Sequence, residues 1–503
     1  MWKVDLRPRL FVSLLLGVFM GALDLTILAP ALPHMSADLG VTPSALVLAF
    51  SLYAVSYAVA VPVMSKLGDV RGYRPVYLAS MLLFAGGSAV AALAPTLPVL
   101  ILGRTIQGVG GGGLFPVAQA IVGELLEPKQ RGRALGILLG AFALGGVLGP
   151  NLGGFLVQHF DWQWIFWINV PLGLLGALLL AGVEIDCARR RHRLDWVGAA
   201  LVAVTFGSLV LGIERLRDVG DAGFFSPAIG GLLLLGLAGL AVLVPVELRT
   251  PEPILDFRLI TSAALWPLLL ISGLVGFALL SGVLFLPLFM QLQFGASAFG
   301  SGAVLNAAAL GLGASSWVAG ALTARAGAGR LVRIGMGLTT AGLVAMIALR
   351  HELWGLLGGL VLLGAGLGLA QGPLSYLGLT LAPEKDRGQI SGLISITRSI
   401  GGAVGVSLAG VVLGSASRLI RHQAAAAGVP ELHAQVWGGA EGLRALARLP
   451  ADVQAMVRAT LGAGIVEGWY WAAGAALAGL VVALLSVRPR EPQPPDPAPR
   501  RAG

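Results

Sequence analysis

The chain has 503 residues, 56% of them hydrophobic and 12% charged, with a formal net charge of +9 and a mean hydropathy of +0.85. So few charges cannot cover a soluble protein of this length. Apolar runs of about 20 residues recur from end to end, whereas a membrane β-barrel needs alternating segments of about ten, so this is an all-α polytopic membrane protein.

The single cysteine, Cys187, excludes an intrachain disulfide, and the six histidines lack metal-ligand spacing. No G-x-x-x-x-G-K-[ST] is present, so the chain carries no P-loop of its own. Cutting at charged and Pro/Gly-rich breaks predicts about fourteen spans: 10–30, 44–65, 76–95, 97–121, 134–157, 163–183, 196–214, 226–246, 264–289, 299–322, 332–349, 353–379, 390–414 and 465–486. The first run has no small-residue cleavage site after it and is read as a retained span.

That first span contains Asp24, inside the apolar run Leu10 to Pro33. A carboxylate in hydrocarbon is costly. It persists where hydrogen bonds at a helix contact hold it, or where it does work such as taking up and releasing a proton, and the second reading is favoured for intramembrane ionisable groups. The turn after the second span reads Ser65-Lys66-Leu67-Gly68-Asp69-Val70-Arg71-Gly72-Tyr73-Arg74.

The fourth span contains Arg104. At 1.5 Å per residue, Asp24 lies roughly 21 Å from the inner boundary and Arg104 roughly 10 Å from the outer one. In a core of about 30 Å these are similar depths, so the two can pair and offset part of each other's cost. Nearby Gly108, Gly110 and Gly113 match G-x-G-x-x-G, but no strand precedes them, and close helix packing is the simpler account. In the fifth span, Gly145, Gly149 and Gly153 recur every four residues and give one bare stripe for close helix approach, while Pro150 permits a bend.

Twenty-four of the 34 Lys and Arg residues fall on one side of this scheme and eight on the other, which places both termini in the cytoplasm. The basic charge, including the run Arg189–Arg193, is thereby explained as topology and not as a nucleic-acid site. One long external loop, 415–464, contains a stretch, Pro450 to Thr460, that reads as a short amphipathic helix. The Pro- and Arg-rich tail 488–503 reads as disordered.

Together these features resemble the major facilitator superfamily, in its fourteen-span drug:proton antiporter branch. The 65–75 turn is similar to the G-x-L-x-D-R-x-G-R motif of that family. Leu23-Asp24-Leu25-Thr26-Ile27 with Ala31-Leu32-Pro33 looks like the first-helix motif of the branch, Arg104-Thr105-Ile106-Gln107-Gly108 like its fourth-helix Arg motif, and Gly145 to Gly154 like its antiporter motif. Gly388-Gln389-Ile390-Ser391-Gly392 and Arg398-Ser399-Ile400-Gly401-Gly402 also resemble the branch. The chain departs from the pattern at Ala29, where the motif usually has Asn, at Ser65, which replaces Gly, and at Val70, which replaces Arg.

The resemblance implies two six-helix bundles, 1–185 and 261–487, with a two-helix insertion at 186–260. It implies that Asp24 is the proton site tuned by Arg104, that Asp69, Arg71 and Arg74 form an inner gate, and that Gly145, Gly149, Pro150, Gly153 and Gly154 form the hinge and seal of the antiporter helix. Aromatic, amide and basic candidates for the substrate cavity are Tyr53, Tyr57, Phe142, Trp162, Trp266, Phe277, Gln291, Gln371 and Arg398. The implied activity is export of hydrophobic or cationic small molecules in exchange for protons. It needs no cofactor beyond the proton gradient, and its partners are the substrate, protons and the bilayer. A dedicated exporter of a metabolite, siderophore or lipid-like molecule is the alternative. A membrane-embedded enzyme would need a cluster of catalytic polar groups at one level, and a sensor would need a folded soluble domain. The sequence offers neither.

Overall fold

The computed structural model describes residues 8–487 except 29–30, 32–33, 36–37, 42, 184–194, 219–222, 224–225, 252, 297, 384–385 and 427–449. Ala29, the basic run 189–193 and the tail from 488 therefore lie outside the described residues.

A helix covers each predicted segment. The first six main helices are α1 (Pro8–Ile27), α2 (Pro43–Arg71), α3 (Tyr73–Ala92), α4 (Leu97–Leu125), α5 (Pro128–His159) and α6 (Asn169–Ala181), the last entered through a short turn of helix at Trp164–Trp167. Next come α7 (Trp196–Glu214) and α8 (Leu232–Arg249). The final six are α9 (Trp266–Val283, continued by Leu286–Phe294), α10 (Leu305–Ala326), α11 (Ala328–Ala348), α12 (Leu353–Leu381), α13 (Arg387–Ala426) and α14 (Ala451–Ser486). Among the described residues eleven helices are long and apolar enough to cross a membrane, by length and composition. The expectation of fourteen crossings is compatible with that number. Of the other three, α7 is apolar but short, and α4 has its hydropathy diluted by Gly103, Gly108, Gly110, Gly111, Gly112 and Gly113.

Those glycines show how the bundles are held. Lipid tails are as apolar as leucine, so helices in a membrane associate through close packing and hydrogen bonds. A Cβ at Gly108 would stand 2.6 Å from the carbonyl oxygen of Tyr53 on α2, and one at Gly110 would stand 2.5 Å from the backbone nitrogen of Phe84 on α3. The G-x-G-x-x-G match is thus a close-packing device between α2, α3 and α4.

The two halves use one plan. In the first, α1 packs on α5, and α4 packs on both α2 and α3. In the second, α9 packs on α13, and α12 packs on both α10 and α11. The corner between second and third helices is turned by Gly72 (φ 93°) in one half and Gly327 (φ 82°) in the other, a backbone region that L side chains rarely adopt. Helices α7 and α8 pair with each other, and α7 lies against α2 and α13.

The halves meet along α5 with α10, and along α2 and α4 with α13. Large apolar side chains point outward over much of the surface, among them Leu178 (73% exposed), Trp354 (82%) and Leu485 (79%), as lipid-facing helices require. The expected external loop is shorter than 415–464, because α13 runs on to Ala426 and α14 begins at Ala451. The short helix expected at Pro450–Thr460 is the first part of this single 36-residue helix. The alanines at 424–426 support helix, and the Arg and His before them mark departure from lipid without ending it.

Candidate functional site

Asp24 lies wholly buried on α1. Its Oδ2 accepts from Arg104 Nη1 of α4 at 2.7 Å. Its Oδ1 accepts from Gln107 Nε2, one turn further along α4, at 3.1 Å, and from Asn169 Nδ2, the first residue of α6, at 3.3 Å. Gln107 bridges the pair. Its Oε1 accepts from Arg104 Nη1 at 2.8 Å, and its Nε2 also donates to Ser88 Oγ of α3 at 2.5 Å. The Arg104 guanidinium carbon stands 3.9 Å from the Tyr53 ring centroid, a cation–π contact of about 0.5–2 kcal/mol.

All five polar side chains of this network are buried. Removing one partner of such a buried pair strands a charge, at a cost of about 3–5 kcal/mol. The depth comparison brought Asp24 and Arg104 to one level, but Gln107, Asn169 and Ser88 escaped it. The available signal was that all three are polar side chains within apolar spans.

The glycine stripe of α5 faces this same helix. A Cβ at Gly145 would stand 2.6 Å from the carbonyl oxygen of Phe19, one at Gly149 would collide with Thr26 Oγ1, and one at Gly153 would collide with the carbonyl oxygen of Ile27. Gly154 differs: it faces open space, with nothing within 4 Å of a Cβ built there. Pro150 lies inside the helix, half-buried. Earlier in α5, Gly132 meets Thr323 and Gly136 meets Gly320, both on α10 of the other bundle.

At the loop end of α2, beyond the 44–65 span, Asp69 reaches across to the other bundle. Its two carboxylate oxygens accept from the backbone N–H groups of Gly388 and Gln389, each at 3.1 Å, at the start of α13. Tyr73 donates its hydroxyl to the same carboxylate. Burial pushes the Asp69 carboxyl up to about 7, against the lowering pull of these donors and of Lys66. Arg387 adds a second crossing, with Nη1 3.1 Å from Glu124 Oε2 on α4.

The other expected gate residues do not join Asp69 there. Arg74 turns back within its own bundle and donates to the carbonyls of Leu180 and Ala181 at the end of α6, and Arg71 is exposed at the end of α2. A deeper seal was not foreseen. Gln119 Nε2 of α4 donates to Ser375 Oγ of α12 at 3.1 Å, and Ser391 Oγ of α13 donates to the Pro116 carbonyl at 2.7 Å.

The cavity candidates divide. Tyr57, Phe142, Gln371 and Arg398 gather one to two turns above that seal. Arg398 Nη1 lies 3.5 Å from Gln371 Oε1, and its guanidinium carbon is 5.0 Å from the Phe115 ring, which itself stacks at a tilt on Phe142, centroids 5.4 Å apart. Tyr53 belongs to the Arg104 network and stacks on Tyr57, centroids 6.3 Å apart. Phe277 neighbours Gly276, whose missing side chain admits the Arg398 backbone. Three candidates lie elsewhere. Trp266 is 43% exposed and begins α9, about 15 Å of helix before Gly276; Gln291 donates to Ser301 at 3.0 Å; Trp162 donates to Asp38 at 2.8 Å.

The sequence pattern of the family described as Major Facilitator Superfamily matches residues 14–406. The chain is 29% identical over 419 residues to the multidrug transporter protein MdtP of Bacillus subtilis, covering 82% of this chain and 77% of that protein. It is 32% identical over 409 residues to a multidrug resistance protein B homolog of Mycobacterium tuberculosis, covering 79% and 74%. Among solved structures, the fold resembles the human organic anion transporter MFSD10 (TETRAN), with TM-score 0.63, 17% identity and coverage of 95% and 99%. It also resembles the proton:xylose symporter XylE, with TM-score 0.59, 14% identity and coverage of 92% and 95%. At these identities the structural likeness speaks for the fold alone.

Proposed function

The chain belongs to the Major Facilitator Superfamily of transporters, and from that premise we propose that it is a proton-coupled antiporter exporting hydrophobic small molecules across the cytoplasmic membrane. The observation that carries the reading is the Asp24 network. A titratable carboxylate lies fully enclosed within a membrane helix, held by an arginine and two amides contributed by two other helices. An arrangement that can exchange its charged partner for a proton gives transport a way to couple to the proton gradient.

The reading extends to orientation. The excess of Lys and Arg in the loops at the Asp69 end supports a cytoplasmic position for that end and for both termini. The two halves are joined there by the Asp69, Arg387 and Gln119–Ser375 contacts, so a substrate space around Arg398 would be closed to the cytoplasm in this state. In the proposed cycle the proton arriving at Asp24 from outside loosens its hold on Arg104. The halves rock, the inner contacts part, and the proton leaves inward as substrate is taken up. Relatives named as a multidrug transporter and a multidrug resistance protein support a range of substrates.

The test is reconstitution of the full chain in proteoliposomes with an imposed pH gradient and a panel of hydrophobic dyes. Dye movement against its own gradient, abolished by a protonophore, is the expected result. Movement that ignores the pH gradient in every case would overturn the proposal.

A further inference from the structure

Arg104 and Arg398, both inside membrane helices, are held very differently. Arg104 has a carboxylate at 2.7 Å, an amide oxygen and an aromatic face. Arg398 has one amide oxygen at 3.5 Å, at the outer limit of a hydrogen bond, and the face of Phe115. Tyr57 is within electrostatic reach, but no carboxylate pairs with Arg398 among the described residues. A guanidinium has five N–H donors in a planar fork and cannot shed its charge. Most of that donor capacity is therefore unspent, at a depth where an unpaired charge is costly.

No neighbouring acid balances it. Asp24 is occupied by Arg104. Among the other described acids on these helices, Asp69 accepts from Gly388 and Gln389, Glu124 pairs with Arg387 and Glu247 accepts from Leu255, while Glu467 on α14 borders a groove with Ser415 and Thr460, and Ser415 is about 25 Å along α13 from Arg398. The surroundings fit a ligand. Arg398, Tyr57 and Phe142 are each only half-buried, so part of each side chain is left uncovered by the protein. The Ser391–Pro116 and Gln119–Ser375 bonds lie one to two helical turns away, and Phe115 presents its ring to Arg398 at 5.0 Å.

We propose that Arg398, with Gln371 beside it, binds the anionic head of the transported molecule. The substrates preferred at this site are then amphipathic acids, carboxylates or sulfonates on an apolar or aromatic body. This deepens the transport reading and rests on it, and it replaces the cationic preference implied by the family resemblance. A cationic body would meet a like charge at Arg398, whereas a carboxylate meets a matching two-pronged donor. The aromatic rings take the apolar part.

The experiment uses two dyes on one xanthene scaffold, the anion fluorescein and the cation rhodamine 6G. Binding to the purified full-length protein is read by fluorescence anisotropy, for the parent, Arg398→Gln and Arg398→Lys. The expected result is that Arg398→Gln weakens fluorescein at least tenfold and tightens rhodamine 6G, with Arg398→Lys recovering part of the fluorescein affinity. Opposite shifts for the two dyes cannot come from a misfolded protein. Equal losses for both dyes in Arg398→Gln, or fluorescein binding no tighter than rhodamine 6G in the parent, would overturn the assignment. Efflux under a pH gradient is measured separately. Fluorescein that binds at Arg398 but is never driven by the gradient refutes proton-coupled export and leaves the site standing. Driven rhodamine 6G with no fluorescein binding does the reverse.

Discussion

Gly149 of α5 faces Thr26 of α1 so closely that no side chain fits between them, and Thr26 lies two residues beyond Asp24. The glycine stripe and the proposed proton site are therefore parts of one helix pair. A change in the charge of Asp24 acts on a helix whose contact with α5 is made at van der Waals distance. Replacing Gly149 by Val should force α1 and α5 apart, at about 1–3 kcal/mol, and sharply reduce transport. Gly146→Ala is the control, since nothing lies within 4 Å of a Cβ there. Thermal unfolding and dye efflux, measured on both, would show equal effects only if the stripe has no special role.

Asp24→Asn should abolish uphill, proton-driven efflux while the protein still folds. Asn retains the shape and one acceptor oxygen, and Arg104 retains Gln107 Oε1 and the Tyr53 ring, so the loss of stability should fall at or below about 3 kcal/mol. Transport down a substrate gradient is expected to survive. Full uphill efflux by this variant, with its response to the pH gradient intact, would make Asp24 a structural residue.

Closure of the Asp69 end should depend on pH. In the closed state, burial raises the Asp69 carboxyl from an ordinary 3.8 to about 7. A carboxyl raised in one state favours that state where it is protonated, so closure is assisted at low pH, and the assistance is lost as pH rises through about 7. Spin labels at Ala181 and Arg325, exposed on opposite bundles at this end, report the separation. The closed fraction should rise as pH falls from 7 toward 4 in the parent and stay level in Asp69→Asn. A pH response that survives this substitution would assign it to another group.

Gln119→Leu should weaken the deeper seal. It removes the bond to Ser375 and leaves that buried hydroxyl without its Gln119 partner, at about 1–3 kcal/mol, while Ser391 keeps its bond to the Pro116 carbonyl. The same labels should then show a larger open fraction at every pH. An unchanged distance distribution would leave closure to the Asp69 and Arg387 contacts alone.

What the sequence made legible is what varies along a helix axis. Span positions and the common depth of Asp24 and Arg104 follow from counting residues at 1.5 Å each. What it hid is what varies around the axis. Gln107, Asn169, Ser88 and the Gln119–Ser375 bond depend on which way a small polar side chain points, and such residues are common in membrane helices that have no site. The same blindness left unseen that Gln291 bonds to Ser301, that Trp162 bonds to Asp38, and that Arg74, expected at the gate, turns to carbonyls at the end of α6. The helix expected at Pro450–Thr460 is present, but its continuity with α14 and the extension of α13 to Ala426 are not legible in the sequence, because charge reads as loop when it signals only departure from lipid.

Helix α5 touches the other bundle through Gly132 and Gly136 and touches the Asp24 helix through Gly145, Gly149 and Gly153. Both contacts set bare backbone against backbone or small side chains. Ions in solution screen exposed charge pairs over about 10 Å at 0.1 M salt, but they do not screen steric contact. Raising ionic strength should thus loosen the partly exposed Arg387–Glu124 link while leaving the mechanical connection between Asp24 and the opposite bundle at full strength.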